Sequence, residues 1–450
     1  MRTRVLIPSG ALGLGYDRAA LARGVAMRPD IIAIDGGSTD SGPHYLGTGT
    51  SKYSRASTKA EWRELLRARE DANCPLVIGT AGTCGADDAV DWLLEITREI
   101  AAEEGMRPRV AVLYSGQEPE GVTEALSQGR LASLPGAPEI DPSTIASCTN
   151  IVALAGVEQI AAALETGADI VIAGRTTDTA IIAALPIARG ADPGAAWHGA
   201  KIGECGALAT THPNSGTILI DFDDTGFTMR PMGEGVRATA HTVSAHMLYE
   251  NSDPLILHEP GGHLDVSAAE YVESADGSVR VEGSVWHPAD FYTVKLEGAR
   301  RVGFQTVSIV TVRDPRYVRD IAAWCEDILR RCQQKARDRI VGDVTFELRR
   351  IGLDATLGRL ETATEPAHEI GVMGIVTAPT QALATEAAKL LNPYLLHHPL
   401  TEEEEMPTFA FPFSPPEMER GAIHEFCLHH VMTLDDPMHA FRLNVVEVGS

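Results

Sequence analysis

Carboxylate and imidazole side chains crowd into one glycine-rich stretch near the start of the chain. The stretch is 34–49, IDGGSTDSGPHYLGTG, and it holds Asp35, Asp40 and His44 within ten positions. Side chains of these types can hold a divalent metal or share proton transfers as general acid and base. A set of Asx turns is the alternative, because Asp and Ser bond their own backbone in loops. Ordering a long polar loop without a ligand costs conformational entropy, which favours catalytic roles for Asp35 and His44.

A second acid lies beside a cysteine in the middle of the chain. Glu204 and Cys205 stand in a glycine-rich stretch with neither helical nor strand periodicity. Glu204 can act there as a general base, and Cys205 as a nucleophile or a soft metal ligand. A single cysteine is more often a small buried apolar residue. We therefore assign catalysis to Glu204 and only substrate contact to Cys205.

Two further loops offer groups that bind anions. The segment 79–85, GTAGTCG, follows an apolar run, so its backbone N–H groups and the dipole of the next helix suit a carboxylate or phosphate. A turn that needs glycine for its φ angles is the alternative. Arg175 is a fork-shaped donor for carboxylates, although it can instead pair with Asp178 and brace its own turn. The substrate-binding candidates in these loops are Gly79, Thr80, Gly82, Thr83, Arg175 and Asp178.

Histidines and acids are densest between residues 253 and 265, DPLILHEPGGHLD. The spacing matches no zinc signature such as HExxH, yet this density of ligands can bind a metal. A surface loop with incidental histidines is equally compatible with it. The metal candidates are Asp253, His258, Glu259, His263 and Asp265. A divalent metal thus stays open as a cofactor, whereas no Walker or GxGxxG pattern indicates a nucleotide.

Short apolar runs alternate with amphipathic segments over residues 1–195. The runs are Arg4–Ile7, Ile31–Ile34, Pro75–Ile78, Val110–Tyr114 and Asp169–Ala173. The helical patterns are Asp17–Ala26, Lys59–Ala72, Asp87–Glu104, Glu118–Leu126 and Gly156–Thr166. Because the runs are apolar throughout, we predict a Rossmann-like parallel sheet that helices cover on both faces. Ligands bind at the carboxyl ends of such strands, and the polar loops all follow them, which predicts one shared site.

The pattern changes after residue 195. Residues 196–302 form a β-rich segment that completes the N-terminal domain and its site, with one helix at 242–249. Residues 303–450 are predicted to be a ferredoxin-like α+β domain with a β-tail. The strands expected after residue 195 are Thr217–Phe222, Ser278–Glu282, Thr293–Glu297, Gln305–Thr311, Asp343–Arg349, His368–Val376, Thr408–Pro412 and Ala440–Val448, and the C-terminal helices are Tyr317–Arg337 and Thr380–Leu391.

The composition excludes several classes of partner. Lys and Arg number 38 against 62 Asp and Glu, and the net charge of −24 argues against nucleic acid and anionic membranes. No apolar run approaches a membrane span, and the N-terminus carries no signal-peptide core. Seven cysteines without CxxC spacing argue against a disulfide framework or a structural zinc site. We expect a cytoplasmic protein and, for an acidic multidomain chain, a homo-oligomer.

Five stretches carry motifs that are specific in combination. They are Tyr16–Arg18 after a glycine loop, Ala173–Asp178, Gly199–Ala207, Leu248–Pro254 and the segment around Tyr292–Lys295. Together they resemble the acyclic terpene utilisation family of AtuA-type proteins over most of the chain. The resemblance implies a ferredoxin-like C-terminal part, a catabolic role toward branched terpenoid acids, substrate contacts for Asp17, Arg18 and Tyr292, and a catalytic role for Lys295. Some relatives carry a methylaspartate ammonia-lyase label, and the loop 34–49 departs from the better-known members.

Three functions remain open. The first is a lyase of the hydratase, dehydratase or ammonia-lyase type that acts on a small or branched carboxylate or its acyl-CoA thioester. Asp35 and Glu204 would move a proton next to a carbonyl, while Arg175, Lys295 and the amides of 79–85 hold the negative charge. The second is a non-catalytic binding or assembly subunit of a catabolic complex. The third is a metal-dependent hydrolase built on 253–265.

Overall fold

A computed structural model describes residues 2–449 of the chain. The chain forms two compact units, one made of residues up to Arg300 together with the segment from Phe426 onward, and one made of Arg301–Glu425. Among the described residues, no helix combines the length and the apolar composition that crossing a membrane requires.

The first unit is built mainly from short strands that alternate with helices. Its strands are β1 Thr3–Ile7, β2 Ile31–Asp35, β3 Leu76–Gly79, β4 Arg109–Tyr114, β5 Leu131–Ser133, β6 Asn150–Ala153, β7 Ile170–Ala173, β8 Ile218–Phe222, β9 Gly226–Pro231, β10 Ile256–Glu259, β11 Gly262–Asp265, β12 Glu270–Glu273, β13 Val279–Glu282, β14 Val285–Pro288 and, as the last of the chain, β19 Arg442–Glu447. Its α-helices are α1 Arg18–Ala26, α2 Pro43–Thr48, α3 Arg55–Ala72, α4 Asp87–Glu104, α5 Pro119–Ser127, α6 Pro142–Ala146, α7 Val157–Glu165, α8 Ala180–Ala188, α9 Pro193–Gly203 and α10 Ala240–Ala245. Its 3₁₀ helices are Thr39–Ser41, Gly206–Ala209, Pro213–Ser215 and His246–Leu248.

The central sheet of this unit has a parallel middle and antiparallel edges. The five apolar runs of the N-terminal part form its parallel strands, in the order β1, β2, β3, β7, β4. Beyond β1 the order continues through β8, β9, β13 and β12, and β19 pairs antiparallel with β4. Successive strand residues face opposite sides, so Val5 and Leu6 belong to two different hydrophobic cores. The predicted sheet was parallel throughout, and the antiparallel edges come from segments whose pairing is non-local.

The direction of winding changes between β3 and β7. The helices that follow β1, β2 and β3 pack on one face through Leu21, Trp62 and Leu93. The helices that follow β4 and β7 pack on the other face through Val122 and Ile181. The chain therefore winds in opposite directions on the two sides of the β3–β7 boundary, and ligand sites of parallel sheets form at the carboxyl edge near such a boundary.

The second unit holds helices packed on antiparallel strands. Its elements are the end of β15 Tyr292–Val312, α11 Pro315–Arg319, α12 Ile321–Arg339, β16 Thr345–Ile351, a 3₁₀ helix Gly358–Leu360, β17 Ile370–Ala378, α13 Gln381–His397 and the start of β18 Met418–Leu434. Strand β17 pairs with both β16 and β15. Trp324 of α12 and Leu391 of α13 anchor its core.

Three predicted elements of the C-terminal half differ in the structure. The separate strands expected at 293–297 and 305–311 are one continuous strand, β15. The strand expected at 408–412 reduces to a single bridge between Ala410 and Thr311, and the strand that follows α13 is β18 instead. The tail strand β19 pairs with β4 and so belongs to the first unit, although the sequence analysis grouped it with residues 303–450.

Because the β3 and β7 loops approach each other closely, we predict that position 85 requires glycine. Gly85 has a φ of +65°, and a Cβ there would lie 2.2 Å from the backbone nitrogen of Arg175. Gly105, at the end of α4, has a φ of +71° and open space around it. We expect Gly105→Ala to lower the free energy of unfolding by about 1–2 kcal/mol through backbone strain alone. Gly85→Ala should cost about 2 kcal/mol more, because overpacking adds to the same strain.

Urea unfolding of the two variants checks this requirement. Equal losses at the two positions would show that the loops can move apart, and would contradict the close approach at the site.

Candidate functional site

Two cavities of the first unit lie at the carboxyl edge of the parallel strands. The larger cavity has a volume of about 600 Å³, and Asp35, Asp178 and Cys205 are among the residues that line it. The smaller cavity has about 420 Å³, and Arg175 and Lys295 are among the residues that line it. Ser38 and Asp40 line both, so the 3₁₀ turn of the glycine-rich loop 34–49 is the wall between them. The same loop continues into helix α2.

Two carboxylates in the larger cavity resist ionisation. Asp35 ends β2, is 4% exposed and accepts the Gly37 N–H with Oδ2 at 2.8 Å. Its Oδ1 is buried without a hydrogen-bond partner in the described chain. Burial, and then the charge of Asp178, raise the pKa of Asp35 well above its usual range. Burial raises the pKa of Asp178 to about 6, although Arg175 and Lys201 oppose the shift.

Arg175 joins four segments around the cavities. Its Nε donates to Glu297 Oε2 at 3.1 Å, and its Nη1 donates to Thr80 Oγ1 at 3.2 Å. Its Nη2 donates to Thr39 Oγ1 at 3.4 Å, and its Nη1 lies 3.7 Å from Asp178 Oδ1. The guanidinium therefore links the β7 loop to the β3 loop, to the wall between the cavities and to β15.

Glu297 is the counter-charge that the sequence analysis missed. It is 5% exposed on β15 and accepts Lys295 Nζ at 2.7 Å and Thr39 Oγ1 at 2.9 Å. Burial by itself raises the pKa of this carboxyl, but the charges of Arg175 and Lys295 outweigh burial and hold the pKa at about 2. Its alternation with apolar neighbours on a strand was the available signal in the sequence.

Glu204 and Cys205 lie where α9 ends, beside a buried lysine. Lys201 donates to Glu204 Oε1, and both side chains are almost fully buried. Burial raises the pKa of Glu204 to about 8, although Lys201 opposes the shift. Burial also raises the pKa of the Cys205 thiol, so Cys205 by itself is not the thiolate that a nucleophile needs.

Glu259 belongs to the same group of buried acids. Its Oε1 accepts Thr179 Oγ1 at 2.5 Å, and its Oε2 is buried without a partner among the described residues. Burial raises its pKa to about 7. The other four metal candidates of the segment 253–265 lie elsewhere. Asp253 and Asp265 accept N–H groups of their own turns, and His258 faces His263 across the hairpin of β10 and β11.

Four expected site residues have other contacts in the structure. Asp17 caps α1 by accepting the Ala19 N–H, and Arg18 pairs with Glu64 at the surface. Tyr292 donates to Glu158 Oε2 at 2.7 Å. His44 is exposed on α2, and neither cavity has it in its lining. A helix cap explains the contact of Asp17, and pairing with a glutamate explains those of Arg18 and Tyr292. None of these three contacts requires a ligand.

The 79–85 loop is buried and uses many of its amides internally. The N–H groups of Thr80 and Ala81 donate to Gly174 and Ala173, and the N–H of Thr83 donates to Gly36. Gly79 and Gly82 have no room for a side chain, because a Cβ would lie 2.3 Å from Thr176 Oγ1 and 2.7 Å from Ala89 Cβ respectively. The loop therefore holds β2, β3 and β7 together, and these three amides are not available to an anion.

One group among the described residues can hold a metal ion. Ligand atoms of Glu204, Cys205 and His246 lie within 4.8 Å of one another. Glu204 and Cys205 were candidates from the sequence, whereas His246, which is 5% exposed, was not. His246 lies three residues before Tyr249, and Tyr249 lines the larger cavity. In the predicted helix 242–249, His246 and Tyr249 are about one turn apart and therefore neighbours on the helix surface. This spacing was the feature of the sequence that could have pointed to His246.

The raised pKa of Asp178 predicts a stability that falls with pH. The folded state binds this proton more tightly than the unfolded state, so the contribution is present below pH 3.8 and is lost as the pH rises through about 6. We expect Asp178→Asn to raise the free energy of unfolding at pH 8 by up to about 3 kcal/mol. The gain should vanish near pH 3.8, and exposed Asp224→Asn should show no such trend in urea unfolding.

The lowered pKa of Glu297 predicts the opposite sign. Its ionised form stabilises the folded state above pH 4.5, and this stability is lost as the pH falls toward about 2. We expect Glu297→Gln to cost about 3–5 kcal/mol at neutral pH, because it leaves two cations with a buried neutral partner. Exposed Glu282, which pairs with Arg280 at 2.9 Å, is the control and should lose under about 1 kcal/mol as Gln. Similar losses at both positions would contradict the buried pair.

Comparison with known proteins identifies the family. Residues 51–408 match the family model described as acyclic terpene utilisation family protein AtuA. No curated protein and no solved structure matches the chain. The match covers most of the chain and confirms the resemblance drawn from the motifs. The chain therefore belongs to the acyclic terpene utilisation AtuA family.

Proposed function

We propose that this protein is a catabolic enzyme of the lyase class that moves a proton on the carbon next to a carboxylate or thioester carbonyl. The observation that carries the proposal is the pair Asp35 and Asp178, a buried and a part-buried acid with raised pKa values that line one cavity at the carboxyl edge of the parallel strands. Acids with raised pKa values in a cleft are the groups that perform proton transfer near neutral pH.

The two acids differ enough to take different roles. With a pKa of about 6, Asp178 is mainly ionised at neutral pH and serves as the base that removes the proton from carbon. Asp35 is the more deeply buried of the two and keeps its proton, which it gives to the departing hydroxyl or amine. The products of this elimination are an alkene and water or ammonia, and the reverse reaction is the addition. Pairs of acids with divided roles are a recurring arrangement.

The charges and the apolar surface suggest the substrate class. Lys52 lines the larger cavity, and Lys295 and Arg175 line the smaller one. These cations offset the acidic chain locally and can hold a carboxylate or an enolate oxygen. Phe426 and Leu428 add apolar lining to the smaller cavity, which suits a branched chain. Membership in a family of acyclic terpene utilisation supports a branched acid or its acyl-CoA thioester as the substrate.

Two finer features of the fold belong to the same proposal. The parallel strands of the first unit and the cavity at their carboxyl edge support a Rossmann-like site. The strand order β16, β17, β15, β18, with α12 and α13, supports a ferredoxin-like arrangement in the second unit. We also propose that this unit mediates assembly rather than catalysis, because the acids of the proposed site all belong to the first unit.

Exchange with solvent deuterium tests proton abstraction before the full reaction is known. The protein is incubated in D₂O with branched 2-enoic and 3-hydroxy acids and their CoA thioesters, and loss of the proton signal next to the carbonyl is followed by NMR. We expect exchange with at least one of these classes, at a rate that rises as the pH passes about 6. Asp178→Asn and Asp35→Asn should each slow exchange by about 10²–10⁴-fold.

Controls separate a lost reaction from a lost fold. Asp224→Asn, an exposed change outside both cavities, should exchange as the unmodified protein does. A shift of the melting temperature by substrate should persist in the Asp178→Asn variant, because binding does not need the base. Exchange that survives both aspartate substitutions would contradict the proposed roles. Binding of a carboxylate without exchange in any class would favour a non-catalytic binding subunit.

A further inference from the structure

Beside the proposed acids lies a second group whose donor atoms converge. Glu204 follows the end of α9, Cys205 precedes the 3₁₀ helix Gly206–Ala209, and His246 begins the 3₁₀ helix that follows α10. Two segments thus bring a carboxylate oxygen, a thiol sulfur and an imidazole nitrogen within 4.8 Å of one another.

His246 supplies the second, independent observation. The side chain is 5% exposed, and its Nε2 is buried without a hydrogen-bond partner in the described residues. An unpartnered imidazole nitrogen in the interior costs free energy, unless something outside the chain binds it. Its ring stacks on Tyr249 at a centroid distance of 5.4 Å with an interplanar angle of 14°, which orients the imidazole.

We propose that Glu204, Cys205 and His246 bind a divalent transition-metal ion of the zinc class. Sulfur, nitrogen and oxygen donors of these three residue types are the ones that zinc takes in proteins, and three protein ligands are the usual number where a position stays open. This site goes beyond the proposed proton transfer, since neither Asp35 nor Asp178 belongs to it.

The open position would face the larger cavity, because Cys205 is part of its lining. Water or the carboxylate of a bound substrate can complete the coordination there. A metal so placed supplies Lewis-acid polarisation of a carbonyl oxygen. When the ion binds, the Cys205 sulfur–hydrogen bond breaks, a sulfur–metal bond forms and the thiol proton leaves to solvent, as does the Glu204 proton in chains whose carboxyl carries one.

Lys201 is the internal competitor for this site. Its ammonium contacts Glu204 Oε1 and lies 5.8 Å from the centroid of the Tyr249 ring. A metal ion at Glu204 must share or displace this contact, and the two positive charges repel each other. Lys201→Met, which keeps the length of the side chain, should therefore tighten metal binding by about tenfold.

Cobalt titration of the full chain tests the site without any turnover. The protein is stripped with a chelator and titrated with Co²⁺, whose bond to a thiolate gives a charge-transfer band in the near ultraviolet. We expect saturation at about one ion per chain, with proton release in weakly buffered solution. Zinc should then displace the cobalt.

The variants decide which residues bind. Cys205→Ala should abolish the charge-transfer band, and His246→Ala should weaken binding by at least about tenfold. Cys332→Ala, a change in a buried cysteine of the other unit, is the matched control and should keep the band. If His246→Ala fails to fold, Cys205→Ala and Lys201→Met still test whether the metal ion binds at this site.

Two results would overturn the site: no saturable binding, or a band that survives Cys205→Ala. Failure of the metal site would leave deuterium exchange by Asp178 intact. Exchange that survives the aspartate substitutions would contradict the proton-transfer proposal and leave cobalt binding intact, so each proposal can fail alone.

Discussion

The buried guanidinium of Arg175 is the interaction on which the candidate site depends. A buried cation is tolerated only when it is paired and hydrogen-bonded, and Glu297, Thr80 and Thr39 meet that need from three separate segments. The same contacts hold the β3 loop, the wall between the cavities and β15 at fixed positions. Gly85 lets the backbone of Arg175 approach the β3 loop, so even the placement of the guanidinium rests on one glycine.

Several acidic side chains near the Arg175–Glu297 pair have no cation as a close partner of comparable strength. Glu297 receives two cations, whereas at Asp35, Asp178 and Glu259 desolvation outweighs the neighbouring positive charge and raises the pKa. Such burial costs stability at neutral pH, and proteins accept that cost mainly where the charge performs chemistry. The contrast between one satisfied acid and several unsatisfied acids separates the structural part of the site from the part we propose to be catalytic.

The sequence predicts the local features well and the non-local pairings poorly. The five apolar runs mark the parallel strands, and the loops that follow them bring Asp35, Arg175 and Asp178 to one edge. Glu297 was not predicted, because a strand pattern does not reveal that its acid faces a buried arginine far away in the chain. His246 escaped for the same reason, since its partners lie about forty residues earlier. In contrast, Asp17 and Arg18 were predicted to contact substrate because they belong to a family motif. In the structure, Asp17 caps a helix and Arg18 forms an ion pair at the surface.

The central claim is that the fold holds Asp178 partly protonated near neutral pH beside a protonated Asp35. Carbon NMR of protein labelled at the aspartate carboxyl groups measures this directly, with the Asp178→Asn and Asp35→Asn spectra used to assign the two signals. The account predicts that Asp178 titrates at about pH 6 and that Asp35 titrates well above the ordinary aspartate range. Titration of both carboxyl groups below about pH 4, as in unfolded chains, would contradict the account.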